Sequence, residues 1–176
     1  MIHKHIDGVL IEAMFSKEKP RPLYRYFLDI KLKSTVSNNK TACVILQNPS
    51  YADEEKADKT IQFMEKVVFQ TGKAEKLYPE FNGVSRLIIV NLFAFRQTHD
   101  FEGKEIHIGP DNDRAIKDAL KQSDIIIIGW GKSKRFKSRQ DVVKKWVEQI
   151  KKKPIYETAS HPSRARYIGF IRPFAA

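Results

Sequence analysis

Four short stretches hold the residues that could do chemistry: Gln47-Asn48-Pro49-Ser50-Tyr51, Asn91-Leu92-Phe93, Gly129-Trp130-Gly131 and Ser160-His161-Pro162-Ser163. They supply amides, hydroxyls and one imidazole. A carboxamide is a poor base, so Asn48 can orient a water but not deprotonate it. Asn before Pro also caps a turn, and Asn48 is open to that reading too. Asn91 presents a donor and an acceptor on one group. It can match a ligand edge or tie two loops together. His161 can donate from either ring nitrogen and so stabilise charge on an oxygen, or it is a loop histidine bonded to backbone. Gln47 offers backbone support. Phe93 offers a ring for base stacking, although core packing is the simpler account of it, as it is of Trp130.

These stretches matter because of what precedes them. "TACVIL" (41–46), "RLIIVNLF" (86–93) and "DIIIIGWG" (124–131) are short apolar runs, read as buried strands, and "PIYET" (154–158) is a fourth. Helical spacing separates them. Ala57, Ile61, Met64 and Val68 recur over 57–71, with Gly72 as the stop. Asp111 can cap a helix that carries Ile116, Ala119 and Leu120 inward. Val142, Val143, Trp146 and Ile150 form the apolar side of a helix over 137–152. Strands apolar on both faces and separated by helices imply a parallel sheet covered on both sides. Ligands of such sheets bind beyond the carboxyl ends of the strands, where all four stretches emerge.

Upstream, "GVLIEAMF" (8–15) and "LYRYFLDIKL" (23–32) read as extra N-terminal strands, the second with Tyr24, Tyr26 and Leu28 on one side. "SKEKPRP" and "STVSNNK" (34–40) are loops between strands. The expectation is one domain over residues 1–176: an α/β three-layer sandwich with a central, mostly parallel sheet.

The chain carries 32 Lys+Arg against 21 Asp+Glu, a formal charge of +11. That balance favours a polyanion, most simply nucleic acid or a nucleotide. Between residues 132 and 153 ten Lys/Arg face two acidic residues, whereas "ADEEKAD" (52–58) leans acidic. Lys132, Lys134 and Arg135 are candidate phosphate contacts, and a solvated helix start accounts for them equally well. The single cysteine, Cys43, excludes an internal disulfide and a cysteine-built metal site. His3 and His5 lack clear partner ligands, so no metal is expected, and no cofactor motif is present. No apolar run reaches the roughly 20 residues of a membrane span, and a cytoplasmic location with no membrane partner is expected.

"ILQNPS", "LIIVNLF", "IIIIGWG" and "HPSRARYIGF" occur in the order used by the uracil-DNA glycosylase superfamily, which the chain distantly resembles. It resembles more closely an uncharacterised bacterial and phage family. That family's pattern is carried here by Asn48-Pro49-Ser50 with Ala52-Asp53, Asn91-Leu92-Phe93-Ala94 with Arg96 and Thr98, Asn112-Asp113, Trp130-Gly131 and His161-Pro162. The first resemblance implies a pocket that recognises a nucleobase and hydrolyses its bond to the sugar, with DNA repair as the setting. Asn48 would then hold the water and His161 would donate to the pyrimidine oxygen. Asn91 would read the N3–H and O4 edge of uracil. Gln47, Ser50, Tyr51, Phe93 and Ser163 would complete the substrate site. A non-catalytic nucleic-acid or nucleotide-binding module is the other reading.

Three features depart from the glycosylase pattern. Ser50 is small and would not by itself exclude a 5-methyl group. Four carboxylates in "ADEEKAD" stand near the expected mouth, where they would repel a phosphate backbone. Arg164-Ala165-Arg166 stands where a leucine wedge is common. Arg164 and Arg166 could bind phosphate or form a solvated basic loop.

Overall fold

The computed structural model describes residues 3–34, 39–150 and 152–175. Most of the loop expected over 34–40 lies outside the described residues. In chain order the elements are β1 (Val9–Phe15), β2 (Arg25–Leu32), β3 (Lys40–Leu46), α1 (Lys59–Val68), β4 (Val84–Asn91), α2 (Asn112–Gln122), β5 (Ile125–Ile128), α3 (Lys137–Gln149), β6 (Ile155–Thr158) and β7 (Ile171–Pro173).

One sheet runs β1-β2-β4-β3-β5-β6-β7. The four central strands β4, β3, β5 and β6 are parallel. β2 and β7 flank them antiparallel, and β1 returns antiparallel to β2. Most strands therefore point one way. Side chains alternate between the faces. Ala42, Val44, Leu46, Leu87, Ile89, Ile125 and Ile127 pack towards α1. Cys43, Ile45, Ile88, Val90, Ile126 and Ile128 pack towards α2 and α3. A strand buried on both faces has no polar position to spare, which is why β5 reads Ile-Ile-Ile-Ile. Truncating one of these, Ile127→Ala, is expected to cost about 2–5 kcal/mol.

The helices depart from the sequence expectations at their ends. α1 closes at Val68, not at Gly72, because Gln70 already turns left-handed at φ 52° and its side chain donates to Asn82 at 2.7 Å. Asp111 sits at the N-cap of α2 without a side-chain bond to it. α3 ends at Gln149; of the expected remainder, residue 151 lies outside the described residues. Its buried positions are Arg139, Gln140, Val143 and Val147, while Val142 is 42% exposed. The inward face is rotated because a buried guanidinium occupies its first turns. The tail residues Ile171–Pro173 form β7, which the sequence reading did not anticipate.

β2 also departs from simple alternation. Met14 faces Phe27 but its neighbour Phe15 faces Arg25, so β2 carries one extra residue at Tyr26. Such a bulge reverses which side chains point to which face. Tyr24 and Tyr26 consequently leave the cluster that holds Leu28 and pack with Ala94. Arg25 is turned to the side of the sheet that α1 covers.

Candidate functional site

Beyond the carboxyl ends of β3 and β4 lies a cavity of about 210 Å³. Its wall includes Gln47, Asn48, Ser50, Asn91 and His161, drawn from three of the four stretches singled out in the sequence. Arg25, Asp58, Thr60, Gln97 and Thr98 join them, and Leu46 and Ile61 are the apolar wall.

The strand ends are registered past the last ladder pair. Leu92 N–H donates to Leu46 O at 2.9 Å and Phe93 N–H to Gln47 O at 3.0 Å. This holds the Gln47-Asn48 turn beside Asn91. From below, Asn112 Nδ2 donates to the carbonyls of Asn91 (3.0 Å) and Leu92 (3.1 Å). Arg139 Nε also donates to Leu92 O at 2.9 Å, and its Nη2 reaches Asp113 at 2.6 Å. Asn112 and Arg139 thus hold this backbone, and Asp113 holds Arg139.

Asn48 Nδ2 donates to Gln97 O at 2.6 Å, so its Oδ1 is the group left towards the cavity, with Gln47 Nε2 3.4 Å away. Ser50 Oγ donates to Asp58, whose other oxygen accepts from Ile61 N–H at 2.8 Å as the N-cap of α1. Both Asp58 oxygens are therefore engaged.

His161 Nδ1 accepts from Ser163 N–H at 3.3 Å and lies 2.9 Å from Ser163 Oγ. A nitrogen that accepts carries no hydrogen, so the ring hydrogen is on Nε2. Burial holds the imidazole below its ordinary value, Asp58 opposing this and Arg164 reinforcing it. His161 is thus a neutral donor. The loop reaches this place because Gly131, at φ +70°, lies beneath it. A Cβ there would stand 2.6 Å from His161 N and 2.7 Å from Ser160 C.

Asn91 is 1% exposed and its Nδ2 has no hydrogen-bond partner among the described residues. Arg25, also 1% exposed, donates from Nη1 to Ala52 O at 2.8 Å and from Nη2 to Asn91 Oδ1 at 3.4 Å. Its Nε is unpartnered. Burial pushes this guanidinium down to about 10, Asp58 and Asp53 pulling it up and Arg96 pushing it down, so it stays charged at neutral pH. Buried polar atoms without partners are uncommon in a folded protein. Here two of them belong to residues lining one cavity. A larger hollow of about 370 Å³ between β2 and α2 differs: none of its lining residues has such an atom, and its Asp29 and Arg86 bond each other at 2.7 and 2.9 Å.

The other sequence candidates stand elsewhere. Phe93 is buried edge-to-face against Phe101 and Phe136, so it packs the core and does not line the cavity. Tyr51 is 65% exposed, on the outer side of the turn, with Arg96 over its ring at 5.9 Å. Ser163 sits behind His161. Trp130 is buried. Lys132 and Lys134 line a separate groove of about 400 Å³ with Lys137, Lys144 and Arg172. Arg135 donates to Phe101 O and lies over the Phe136 ring at 4.9 Å, a structural engagement. Arg164 and Arg166 are exposed beside the His161 loop.

The acidic segment is less hostile than its composition suggests. Asp53 accepts from Glu55 N–H and Lys56 N–H, Glu54 from Ala13 N–H, and Asp58 caps α1. Only Glu55 among the four has no such bond among the described residues. His5 is half of a buried pair with Glu65. Among the described residues no cluster of His, Cys, Asp or Glu is placed to hold a metal, and no helix is long and apolar enough to cross a membrane.

Sequence reasoning missed Arg25, Asp58, Thr60 and Gln97. The signal available for Arg25 was an arginine inside an aromatic strand, "LYRYFL", where burial is expected and charge is costly.

A search of curated proteins matches none. A family model does match, over residues 25–164, a span that opens on Arg25 and takes in every residue lining the cavity. The chain belongs to that family, described as a protein of unknown function (DUF1643).

Proposed function

We propose that this is a nucleobase-recognising protein of uracil-DNA glycosylase-like type that hydrolyses an N-glycosidic bond in DNA. The observation that carries the reading is the gathering of Asn48, Asn91 and His161 around one small cavity at the carboxyl edge of the sheet. At about 210 Å³ it is below the roughly 300–1,000 Å³ of sites for drug-sized ligands, and suits a single heterocycle. A base would reach it only when flipped out of a helix or offered on a single strand.

The roles follow from the free atoms. Asn48 Oδ1 accepts from a water and aims it at the sugar carbon. His161 Nε2–H donates to the carbonyl oxygen that gains charge as the base leaves. Asn91 Nδ2 donates to a second acceptor. The water oxygen bonds to the sugar carbon, the carbon–nitrogen bond breaks, and its electron pair stays on the base. The water's proton is released to solvent, since Asn48 cannot take it. Lys132, Lys134, Arg164 and Arg166 would meet phosphates along the same edge.

One observation favours a second reading, a binding module without catalysis. Asp58 is the one carboxylate of the cavity, and both its oxygens are occupied. The bonds from Ser50 and Ile61 stabilise its ionised form and make it a weaker base for the water. The test is a panel of oligonucleotides with modified bases, single- and double-stranded. Abasic sites in the product support the enzyme. Tight binding with no abasic sites supports the module, and neither result on any strand sinks both.

A further inference from the structure

Arg25 is the least explained residue of the molecule. A buried cation without a counter-ion is costly, and proteins normally pair it or neutralise it. Among the described residues no carboxylate lies within ion-pairing distance of it; the arginines so paired are Arg86, Arg114, Arg139 and Arg172. Its one side-chain partner is Asn91. A guanidinium has donors only, so the amide it touches must present oxygen to it. The orientation of Asn91 is fixed by chemistry, and Nδ2 becomes the free end.

We propose that Arg25 and Asn91 form one acceptor-reading unit, Arg25 locking the amide with its NH₂ towards the cavity and favouring an oxygen that bears negative charge there. The proposal rests on the reading of the cavity as a base pocket and narrows its ligand class. A base with a carbonyl oxygen at the position read, as in uracil, is accepted. A base with an amino group there is rejected, because two donors would face each other with neither satisfied. Asn91 alone could flip and match either base. Arg25 removes that freedom, so Arg25 is the specificity-determining residue although it lies behind the one that touches the ligand.

The bulge in β2 makes this arrangement possible. Without the extra residue at Tyr26, position 25 would share the face of Phe27 and lie on the other side of the sheet. A strand outside the parallel core thus delivers the positive charge to the core's carboxyl edge.

The experiment compares wild type with Arg25→Met, measuring affinity for single-stranded oligonucleotides that carry uracil, cytosine or 2-pyrimidinone at one position. The last base lacks the 4-substituent altogether. In wild type, uracil is expected to bind at least about tenfold tighter than either of the others, since one unmatched buried polar group costs roughly 1–3 kcal/mol. In Arg25→Met the uracil-to-cytosine ratio should fall towards one. A merely structural arginine would weaken all three strands alike and leave the ratio unchanged, which would overturn the proposal. The 2-pyrimidinone comparison needs no variant and stands if Arg25→Met fails to fold: equal wild-type affinity for uracil and 2-pyrimidinone overturns the proposal by itself. If uracil, cytosine and 2-pyrimidinone all fail to bind, the base-pocket reading falls as well. If they bind without distinction, only this proposal does.

Discussion

Arg25 and Asn91 meet across the floor of the cavity, Nη2 to Oδ1 at 3.4 Å, each nearly inaccessible to water and each with a polar atom left unmatched. Natural proteins keep such a deficit at sites where function needs it. Repairing it should therefore stabilise the fold and damage recognition.

Asn91→Asp makes that repair. The carboxylate supplies Arg25 with a counter-ion, and stability should rise by about 1–2 kcal/mol, or roughly 2–8 °C in Tm. The same change replaces a donor with an acceptor. Preference for uracil should be lost and relative preference for cytosine gained, because an ionised carboxylate repels O4 but accepts from N4. Thermal melts and paired binding assays check both halves. A variant that melts lower and keeps its base preference would mean that Asn91 is a structural amide.

His161 should lose function as pH falls. Burial holds its imidazole below the ordinary value of about 6.5, and Nδ1 must stay unprotonated to accept from Ser163. A base with a depressed folded-state value contributes stability that is present above about 6.5 and is lost as pH drops through the depressed value. Protonation would break the bond from Ser163 N–H, leaving Nδ1–H only Ser163 Oγ to donate to, and loosen the loop. Base affinity in wild type should decline in acid, and His161→Asn should remove that decline. An affinity that rises in acid would mean that the charged imidazole is the working form.

Much of this arrangement was legible in the sequence, for a physical reason. Strands such as Ile125–Ile128 are apolar on both faces, and only a parallel sheet between two helical layers can bury them. That places their ends together, so Asn48, Asn91 and His161 could be expected on one edge before any coordinates. Arg25 was not legible. Simple alternation sets it on the face of Phe27, away from Leu28, and only the bulge turns it to the side that α1 covers. Phe93 was equally opaque, because an aromatic one residue past a strand end can face a ligand or a core. Here Phe101 and Phe136, distant in sequence, decide for the core. Asp58 lay hidden in a run of carboxylates, of which it is the one that caps a helix.

His5 and Glu65 are expected to give the opposite pH response to His161. His5 Nε2 donates to Asp53 O at 2.8 Å and Nδ1 meets the Glu65 carboxylate, so both nitrogens donate and the ring is an imidazolium. Burial alone would lower its value, but the Glu65 bond and charge, together with the Asp53 and Lys56 backbone, outweigh burial and raise it. A raised value means stability that is complete below about 6.5 and lost as pH climbs through the folded-state value. The pair anchors the N-terminal strap, whose His3 O accepts from Ala57 N–H at 3.0 Å, next to the start of α1. Protection of the Ile6 and Ala57 amides against exchange, corrected for the intrinsic base-catalysed rate, should fall at alkaline pH, and His5→Ala should cost about 3 kcal/mol by leaving Glu65 buried alone. Protection that does not change with pH would show the pair to be uncharged.

Gly131→Ala tests how closely His161 must be held. The new Cβ would press on the backbone of residues 160 and 161 from 2.6 Å, and at φ +70° an L side chain is strained as well. Neither contact is a flexible side-chain end, so the His161 loop has to move. Base affinity should drop about tenfold or more, while the β3–β4 ladder on the far side of the cavity is untouched. A crystal structure of the variant with the loop displaced and Asn91 in place is the expected picture. Unchanged affinity with a displaced loop would remove His161 from the site.

The last expectation concerns phosphate. Binding to nucleic acid should weaken steeply with salt, since each Lys or Arg that meets a phosphate releases a counter-ion. Two basic surfaces are available, and they can be told apart. Lys132 and Lys134 line the groove beside α3, where Lys137 is paired with Asp141 at 2.6 Å and Arg172 with Glu157 at 2.7 Å. Arg164 and Arg166 are exposed next to His161. Arg135 should be left alone, because its hydrogen bond to Phe101 O and its place over Phe136 tie this exposed side chain to the core. The two pairs are reversed separately, Lys132→Glu with Lys134→Glu and Arg164→Glu with Arg166→Glu, and affinity is measured from about 50 to 200 mM salt. A strand crossing the cavity must pass the His161 loop, so the arginine pair should flatten the salt slope by about one to two and weaken all sequences alike. The lysine pair should do the same only if the strand continues into the groove. If neither pair changes the slope, the polyanion binds another face and the positive charge near the cavity serves the base alone.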